Sequence, residues 1–214
     1  MKLTSHSLID GKTMPQRCAF AVADADADAD NGVRWGPNRS PHLAWSRVPQ
    51  SARSLVIICL DPDFPSRVTD INREDSPIPP DAPRTTFYHW LMVDIPLALD
   101  RLDEGDCADG VVIGGKEDPP GPAGTRQGIN AFTEFFARNS EMAGTYRGYD
   151  GPCPPRHDSI PHRYRFCLYA TDLDHCPVDD DFTGPDVVEA IQGHVVADAV
   201  LTGIYSLNPQ AGAR

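Results

Sequence analysis

The stretch His162-Arg-Tyr-Arg-Phe-Cys-Leu-Tyr169 has the alternating pattern of a β-strand. Its even-numbered residues from Tyr164 to Leu168 would all face one side of a sheet, and that side suits a core. Immediately upstream, Gly151-Pro-Cys-Pro-Pro155 contains three prolines, which fix φ and remove backbone donors. A surface turn followed by an ordinary strand would give the same pattern. The alternative is that His162 opens the strand in the wall of a small polar pocket.

A second segment favours the pocket. Residues 55–60 form an apolar, β-branched run of the length expected for a strand buried on both faces. The run stops at Asp61-Pro-Asp63, and acidic residues at a strand end usually only cap a turn. Two aspartates two positions apart are less routine, because one that points inward needs a partner. We therefore predict that Asp61 or Asp63 contacts another polar side chain.

A third segment supplies a candidate partner. Residues 85–96 read as a strand of β-formers that is ended by Pro96, and His89 lies in its middle. A lone histidine in such a strand is more often a satisfied core residue than a ligand. Because Asp61, Asp63 and His162 are also available, we expect a site that these side chains share with His89.

Elsewhere the sequence predicts more strands than helices. Short extended pieces are expected at residues 111–113 and 200–206, and turn signals separate nearly all strand candidates. One helix should begin at Thr183, with Asp186 completing a capping box. Its apolar stripe would be Val187, Val188, Ile191, Val195 and Ala199. A second helix is predicted at residues 129–138. The fold class is mainly β, a sandwich of antiparallel sheets with a few peripheral helices.

Composition limits the function classes. A chain of 214 residues suggests one domain, 1–214, with a sizeable core. The net charge of −12 argues against nucleic acid and against docking by charge on an anionic membrane. An anionic ligand must then be held by local geometry. No apolar run of about 18 residues predicts a transmembrane helix, and the first ten residues lack a secretory core, so we expect a cytoplasmic protein.

Three stretches are expected to be loop insertions: residues 23–30, 67–84 and 116–150. The first alternates alanine and aspartate, and four carboxylates on one strand face would repel one another, so a solvated loop is favoured over a strand. This loop lacks the glycine and terminal glutamate of an EF-hand, which disfavours calcium. The six cysteines form no CxxC pair, and Cys59 and Cys167 fall in predicted buried strands as reduced thiols.

Together these motifs resemble the phosphatidylethanolamine-binding protein family, within it the bacterial and archaeal branch often labelled Raf-kinase-inhibitor-like. The resemblance runs from about Leu3 to about Tyr205. It is carried by Asn38-Arg-Ser-Pro-His-Leu-Ala-Trp45, Asp61-Pro-Asp-Phe-Pro-Ser66, His89-Trp90, Gly151-Pro-Cys-Pro-Pro155, His162-Arg-Tyr164, Gly193-His-Val-Val-Ala197 and Gly203-Ile-Tyr205. Each motif is weak alone, and their shared order is specific.

The resemblance implies two packed antiparallel sheets and a small anion-accepting cavity at one end. It implies that the cavity is bordered by Asp61, Asp63, His89, Pro154, Pro155, His162 and Tyr164. In chemical terms, the two histidines would donate hydrogen bonds to a phosphate, a phosphoethanolamine-like group or a carboxylate, with at least one of them protonated. An aspartate would hold the other nitrogen of a histidine and raise its pKa, and the tyrosine hydroxyl would also donate.

The expected function is non-enzymatic binding of such a small anionic ligand, in a protein that regulates a partner protein. No cofactor and no metal site are expected, and bacterial relatives imply a homodimer. A hydrolase with a histidine–aspartate pair is the alternative, although no nucleophile motif such as G-x-S-x-G accompanies the pair. A protease inhibitor is a third reading. This sequence also departs from the family pattern at Phe64, whose ring would narrow the mouth of the cavity, and in the longer stretch 116–150.

Overall fold

The computed structural model describes residues 1–24, 32–67 and 76–211. Its strands, in chain order, are β1 (Lys2–Thr4), β2 (Lys12–Thr13), β3 (Ala21–Ala23), β4 (Val33–Trp35), β5 (Leu43–Ser46), β6 (Ser54–Pro65), β7 (Arg84–Ile95), β8 (Arg101–Leu102), β9 (Arg126–Gln127), β10 (His162–Thr171) and β11 (Val195–Tyr205). The helices are a 3-10 turn (Gln16–Cys18), α1 (Phe132–Phe135) and α2 (Gly184–Ala190). The protein is therefore mainly β, as predicted.

The strands form one large sheet and two small ones. The large sheet has the order β2-β11-β10-β6-β7-β9, and the smaller sheets are β1-β5-β8 and the pair β3-β4. Every pairing is antiparallel except that of β2 with β11, which is parallel. The long strands β6, β7 and β10 lie side by side in the large sheet, so the three segments singled out in the sequence are direct neighbours.

Strand β6 is buried on both faces, as its unbroken apolar run predicts. Leu55, Ile57 and Cys59 pack in the main core, which also contains residues of β1 and β5 from the small sheet. Val56 and Ile58 point to the opposite face and pack beneath α2. The alternation of a strand therefore distributes one apolar run between two cores.

Strand β6 does not end at the aspartates, contrary to the prediction. It continues through Asp61 and Asp63 to Pro65. A register shift between Asp61 and Phe64 places one extra residue in β6 relative to β7. Proline cannot donate to a sheet ladder, and a bulge of this kind is where a strand accommodates it. Both aspartates therefore lie on a strand of the large sheet.

The predicted helix after Thr183 is shorter than expected. The capping box of Thr183 and Asp186 is present, yet α2 ends at Ala190. Gly193 then takes a positive φ of 82°, and the chain turns into β11. Val195 and Ala199 therefore belong to a strand, and their helical spacing with Ile191 is coincidental. β-Branched residues after a left-handed glycine favour this outcome.

Two further expectations are corrected. Residues 111–113 form no strand, because Gly110 and Gly114 on either side take positive φ values of 118° and 80° and turn the chain. The helix expected at 129–138 is reduced to α1, whose Phe132 is buried. The expected strand at 200–206 is the end of β11. Most of the acidic alternation at 23–30, and residues 68–75 of the expected loop 67–84, lie outside the described residues.

Candidate ligand-binding site

A buried chain of charged side chains joins the three long strands at one end. The Nδ1 atom of His162 lies 2.6 Å from Oδ2 of Asp61, and its Nε2 atom lies 3.0 Å from Oδ2 of Asp158. Arg84, the first residue of β7, then donates two hydrogen bonds to the Asp158 carboxylate. His162, Asp61 and Asp158 are at most 1% exposed. Both ring nitrogens of His162 are therefore occupied by carboxylates.

The carboxylates change the charge state of this histidine. Burial lowers the pKa of His162, but the hydrogen bonds to Asp158 and Asp61 outweigh it and raise the pKa to about 9. Burial likewise raises the pKa of Asp158, whereas the bonds from His162 and Arg84 bring it below its ordinary value. At neutral pH the His162 imidazolium is therefore held between the carboxylates of Asp61 and Asp158. An aspartate does hold a histidine, as predicted.

Asp63 belongs to a neighbouring ion pair. Its carboxylate accepts the guanidinium of Arg163 at 2.6 and 2.8 Å, and it also accepts the backbone amide of that residue. Burial raises the pKa of Asp63, and these bonds outweigh it, so that the net shift is downward. The amide of Asp63 in turn donates to Oδ1 of Asp61 at 2.7 Å. Each oxygen of Asp61 thus has a partner within the protein.

His89 is different, because one of its nitrogens has no partner. Its Nδ1 atom lies 2.8 Å from the backbone carbonyl of Asp150, while Nε2 is buried with no hydrogen-bond partner among the described residues. Phe87 and Phe132 pack around the ring, with centroids 4.8 and 5.4 Å from it. Burial lowers the pKa of His89 to about 4, against the opposing charge of Asp61. The imidazole is neutral at pH 7.

Tyr164 provides a second unpartnered group beside the first. Its ring centroid lies 5.1 Å from that of His89, and its hydroxyl is buried without a partner in the described part of the chain. Burial raises the pKa of Tyr164 well above 10, so the phenol keeps its proton. Two buried polar atoms from adjacent side chains are therefore left for a ligand or a water molecule to satisfy.

The turn that carries the Asp150 carbonyl is firmly anchored. The Asp150 carboxylate is fully buried and is bound by Lys116 Nζ at 2.5 Å and by the side-chain amides of Asn38 and Asn130, each at 2.8 Å. Burial nevertheless raises its pKa. The side-chain oxygen of Asn38 accepts the amide of Gly151. This polar cluster fixes the carbonyl that orients His89.

The proline-dense turn continues from this anchor. Pro154 and Pro155 are buried, and the carbonyl of Pro152 accepts hydrogen bonds from the amides of Phe20 and Ala21. A Cβ atom on Gly151 would lie 2.0 Å from the carbonyl oxygen of Cys18, so only glycine fits there. The turn is thereby tied to the start of β3.

The structure thus brings most of the predicted residues together, in two groups. In the first group, Asp61 contacts His162, and Asp63 is paired with Arg163 beside them. The second group is the adjacent pair of His89 and Tyr164. The direct donor role expected of the histidines is not supported by this geometry, because His162 has no free nitrogen and His89 is neutral. Sequence reasoning missed Arg84, Asp158, Lys116, Asp150, Asn38 and Asn130.

Among the residues that the structure describes, no helix is long and apolar enough to cross a membrane. Over the same ranges, no group of three or more His, Cys, Asp or Glu side chains is arranged to hold a metal ion. All six cysteines are free thiols, and five of them are buried, the half-buried exception being Cys153. Phe64 packs against Phe87 with their ring centroids 4.5 Å apart.

Comparison with known proteins identifies the family of this chain. The sequence profile described as phosphatidylethanolamine-binding protein matches residues 4–206. The chain belongs to this family. The phosphatidylethanolamine-binding protein family is also the source of the solved structures that it resembles. The crystal structure of YbcL from Escherichia coli, presented as a new member of the mammalian PEBP family, superposes with a TM-score of 0.68 at 25% identity and covers 96% of this chain and 97% of YbcL.

Further relatives of the family come from bacteria and archaea. The UPF0098 protein YbhB of Escherichia coli K12 is 30% identical over 207 residues, which cover 96% of this chain and 100% of YbhB. A UPF0098 protein of Methanothermobacter thermautotrophicus is 36% identical over 172 residues, covering 79% of this chain and 84% of the relative. The crystal structure of the PEBP homologue CT736 from Chlamydia trachomatis matches with a TM-score of 0.62. This range of sources fits the bacterial and archaeal branch.

The opposite shifts of the two buried histidines predict a stability maximum near pH 6.5. The folded pKa of His89 is about 4, below the unfolded value of about 6.5, so stability rises with pH across that window. The folded pKa of His162 is about 9, so its contribution is complete below about 6.5 and is lost as pH rises through 9. On the acid side and on the alkaline side of the maximum, the free energy of unfolding should fall by about 3 kcal/mol.

Urea unfolding between pH 4.5 and 9.5 measures this profile. His162→Leu should flatten the alkaline limb, and it should also reduce the acid limb, because the charge of His162 is one of the causes that lower the pKa of His89. A stability of the unaltered protein that stays constant from pH 6.5 to 9 would contradict the assignment of charge to His162.

Proposed function

We propose that this protein is a non-enzymatic binding protein that takes a small ligand with a phosphate or carboxylate group at His89 and Tyr164. One observation carries the proposal: Nε2 of His89 and the hydroxyl of Tyr164 are both buried with no partner among the described residues, on rings whose centroids lie 5.1 Å apart. A buried polar atom left unsatisfied costs roughly 1–3 kcal/mol. A ligand that bonds both atoms recovers that cost.

The surroundings of the pair suit a small group rather than a large charged one. Phe87 and Phe132 supply apolar walls beside His89. The cations nearest the site, His162 and Arg163, are already paired with carboxylates. With a net charge of −12, the chain offers no long-range attraction to an anion. Binding would therefore depend on short hydrogen bonds inside a sheltered pocket, and its effect would pass to a partner protein.

The hydrolase alternative receives less support from the same geometry. A general base needs a free nitrogen of suitable pKa, and a partner that orients it. His162 has the aspartate partner, but both of its nitrogens are bonded and it is protonated at neutral pH. His89 has the free nitrogen, but it is oriented by a backbone carbonyl and its pKa of about 4 makes it a weak base.

Tyr164→Phe tests the binding site directly. The variant removes only the unpartnered hydroxyl, so the fold should be retained. We expect the affinity for a phosphate monoester such as methyl phosphate to fall by roughly 10- to 100-fold, the scale of a hydrogen bond to a charged group. Isothermal titration calorimetry at pH 6, or line broadening of the ³¹P resonance, measures it.

Tyr169→Phe is the matched control. Tyr169 lies on the same strand, β10, at a position that points to the opposite face, and it is half-buried. Its substitution should leave the affinity unchanged. Binding by Tyr164→Phe that equals binding by the unaltered protein would place the site elsewhere.

A further inference from the structure

The hydrogen-bond partner of His89 determines which of its nitrogens carries the proton. A backbone carbonyl can only accept, so the nitrogen 2.8 Å from the Asp150 carbonyl, Nδ1, must be N–H. In a neutral imidazole the other nitrogen then has a lone pair and no hydrogen. The buried, unpartnered Nε2 of His89 is therefore a hydrogen-bond acceptor.

Burial keeps His89 in this neutral form, and the polar groups around it act in both directions. They are Asp61 on β6, His162 and Tyr164 on β10, and the Asp150 carbonyl with its carboxylate paired to Lys116. Asp61 favours a second proton on His89, but its charge is shared with the His162 imidazolium 2.6 Å away. Burial and the positive charge of His162 both oppose a second charge on His89.

The neighbouring Tyr164 has the complementary character. Its phenol keeps its proton, because burial opposes ionisation, and its hydroxyl has no partner in the described part of the chain. It can therefore donate one hydrogen bond. The adjacent carboxylates of Asp61 and Asp63 have both oxygens engaged by protein donors. Two of the three buried side-chain atoms without a partner among the described residues are thus an acceptor, Nε2 of His89, and a donor, the Tyr164 hydroxyl, on adjacent rings; the third is Nε of Arg84.

We propose that this site selects oxyanions that carry an ionisable proton, such as the monoanion of a phosphate monoester, over oxyanions of equal charge that carry none. The proposal rests on the proposed function, since it assumes that the oxyanion binds at His89 and Tyr164. The P–OH group donates to Nε2 of His89, and an unprotonated oxygen of the same phosphate accepts from the Tyr164 hydroxyl. An oxyanion without a proton would bring its lone pairs against the lone pair of Nε2.

A pair of ligands matched in charge and shape tests this selectivity on the unaltered protein. Methyl phosphate near pH 5.5 is mainly a monoanion with one P–OH group, because the second pKa of a phosphate monoester is about 6. Methyl sulfate is a monoanion without any such proton. Titration calorimetry at pH 5.5 should show methyl phosphate binding at least about tenfold more tightly, as expected for one lost hydrogen bond to a charged group.

The pH dependence provides a second measurement. Between pH 6 and 8 the monoanion of methyl phosphate falls from about half of the ligand to about one hundredth, so its apparent affinity should fall about 50-fold over that range. Proton–nitrogen correlation spectra of the histidine rings should show His89 as the neutral Nδ1–H form at pH 6, both free and with methyl phosphate bound. Tyr164→Phe should weaken both ligands alike, and so leave their ratio unchanged.

Two results would overturn the selectivity, and they differ in what they imply for the site. Equal affinities of the two ligands at pH 5.5, with His89 becoming doubly protonated in the bound state, would show that the protein supplies the proton, and the proposed binding function would stand. Binding of neither ligand at millimolar concentration would overturn the proposed function together with the selectivity.

Discussion

His162→Leu should lower the free energy of unfolding by about 3–5 kcal/mol at pH 6.5, the cost of removing one partner from a buried ion pair. The substitution deprives Asp61 of the cation 2.6 Å from its Oδ2 atom, and Asp61 is 1% exposed. Asp158 keeps its bonds from Arg84, so the unpaired charge falls mainly on Asp61. A carboxylate in this position must either stay charged without a partner or take up a proton.

Urea unfolding of the variant and of a surface control measures this effect. His194 bonds to Asp172 at 2.9 Å, but both side chains are nearly half exposed. His194→Leu should therefore change stability by less than about 1 kcal/mol. Adding Asp61→Asn to His162→Leu should restore part of the loss, because it removes the buried charge. A loss below about 1 kcal/mol in His162→Leu alone would mean that the charged chain does not stabilise the fold.

The three segments that the sequence singled out could be predicted as strands because the pattern of each is local. An apolar run of length six, an alternating stretch and a β-forming stretch each specify a strand without reference to the rest of the chain. The chain was also predicted to continue helix α2 as far as Ala199, and this was wrong. The 3.6-residue spacing persisted past Gly193, where the backbone takes a positive φ and the helix cannot continue.

Part of the candidate site could be predicted, and the rest could not. The sequence predicted that Asp61 or Asp63 would hold a histidine, and the structure shows Asp61 in contact with His162. Asp158 lies four residues before His162 in the sequence, but it comes from an irregular segment that forms a bridge to Ile78. Nothing in the sequence pattern places its carboxylate at Nε2 of His162. Loop residues such as these are positioned by tertiary contacts, which a local pattern does not encode.

The charge states were the least predictable property. The two histidines, of which at least one was expected to be protonated, have pKa values of about 9 for His162 and about 4 for His89. Burial lowers the pKa of both rings. At His162 the hydrogen bonds to two carboxylates outweigh burial, whereas at His89 the Asp150 carbonyl and the charge of Asp61 do not. Residue type alone gives a single value near 6.5 for both. The protonation state of each histidine therefore depends on its neighbours in the folded protein, which the sequence pattern does not specify.

Loss of the buried ion pair between Lys116 and Asp150 is expected to give the second large change in stability. Lys116→Met should destabilise the protein by about 3–5 kcal/mol at pH 7, because it leaves the Asp150 carboxylate buried without its cation. The loss should decrease as pH falls, since burial already raises the pKa of Asp150 and a protonated carboxyl needs no counter-charge. Arg53→Met is the control, because Arg53 pairs with Asp174 at 2.7 Å with both side chains largely exposed. It should cost less than about 1 kcal/mol.

Lys116→Met combined with Asp150→Asn separates the effect of the buried charge on stability from the effect of the ion pair on the orientation of His89. The double variant has no buried charge, and an asparagine can keep its carbonyl oxygen toward Asn38 or Asn130, so much of the stability should return. Since the backbone carbonyl of residue 150 still accepts from His89, the neutral Nδ1–H form should also persist in ring nitrogen spectra. If stability returns but that form is lost, the ion pair acts on the orientation of His89 as well as on the fold. If the Lys116→Met variant is as stable as the unaltered protein at pH 7, the cluster around Asp150 does not depend on its lysine.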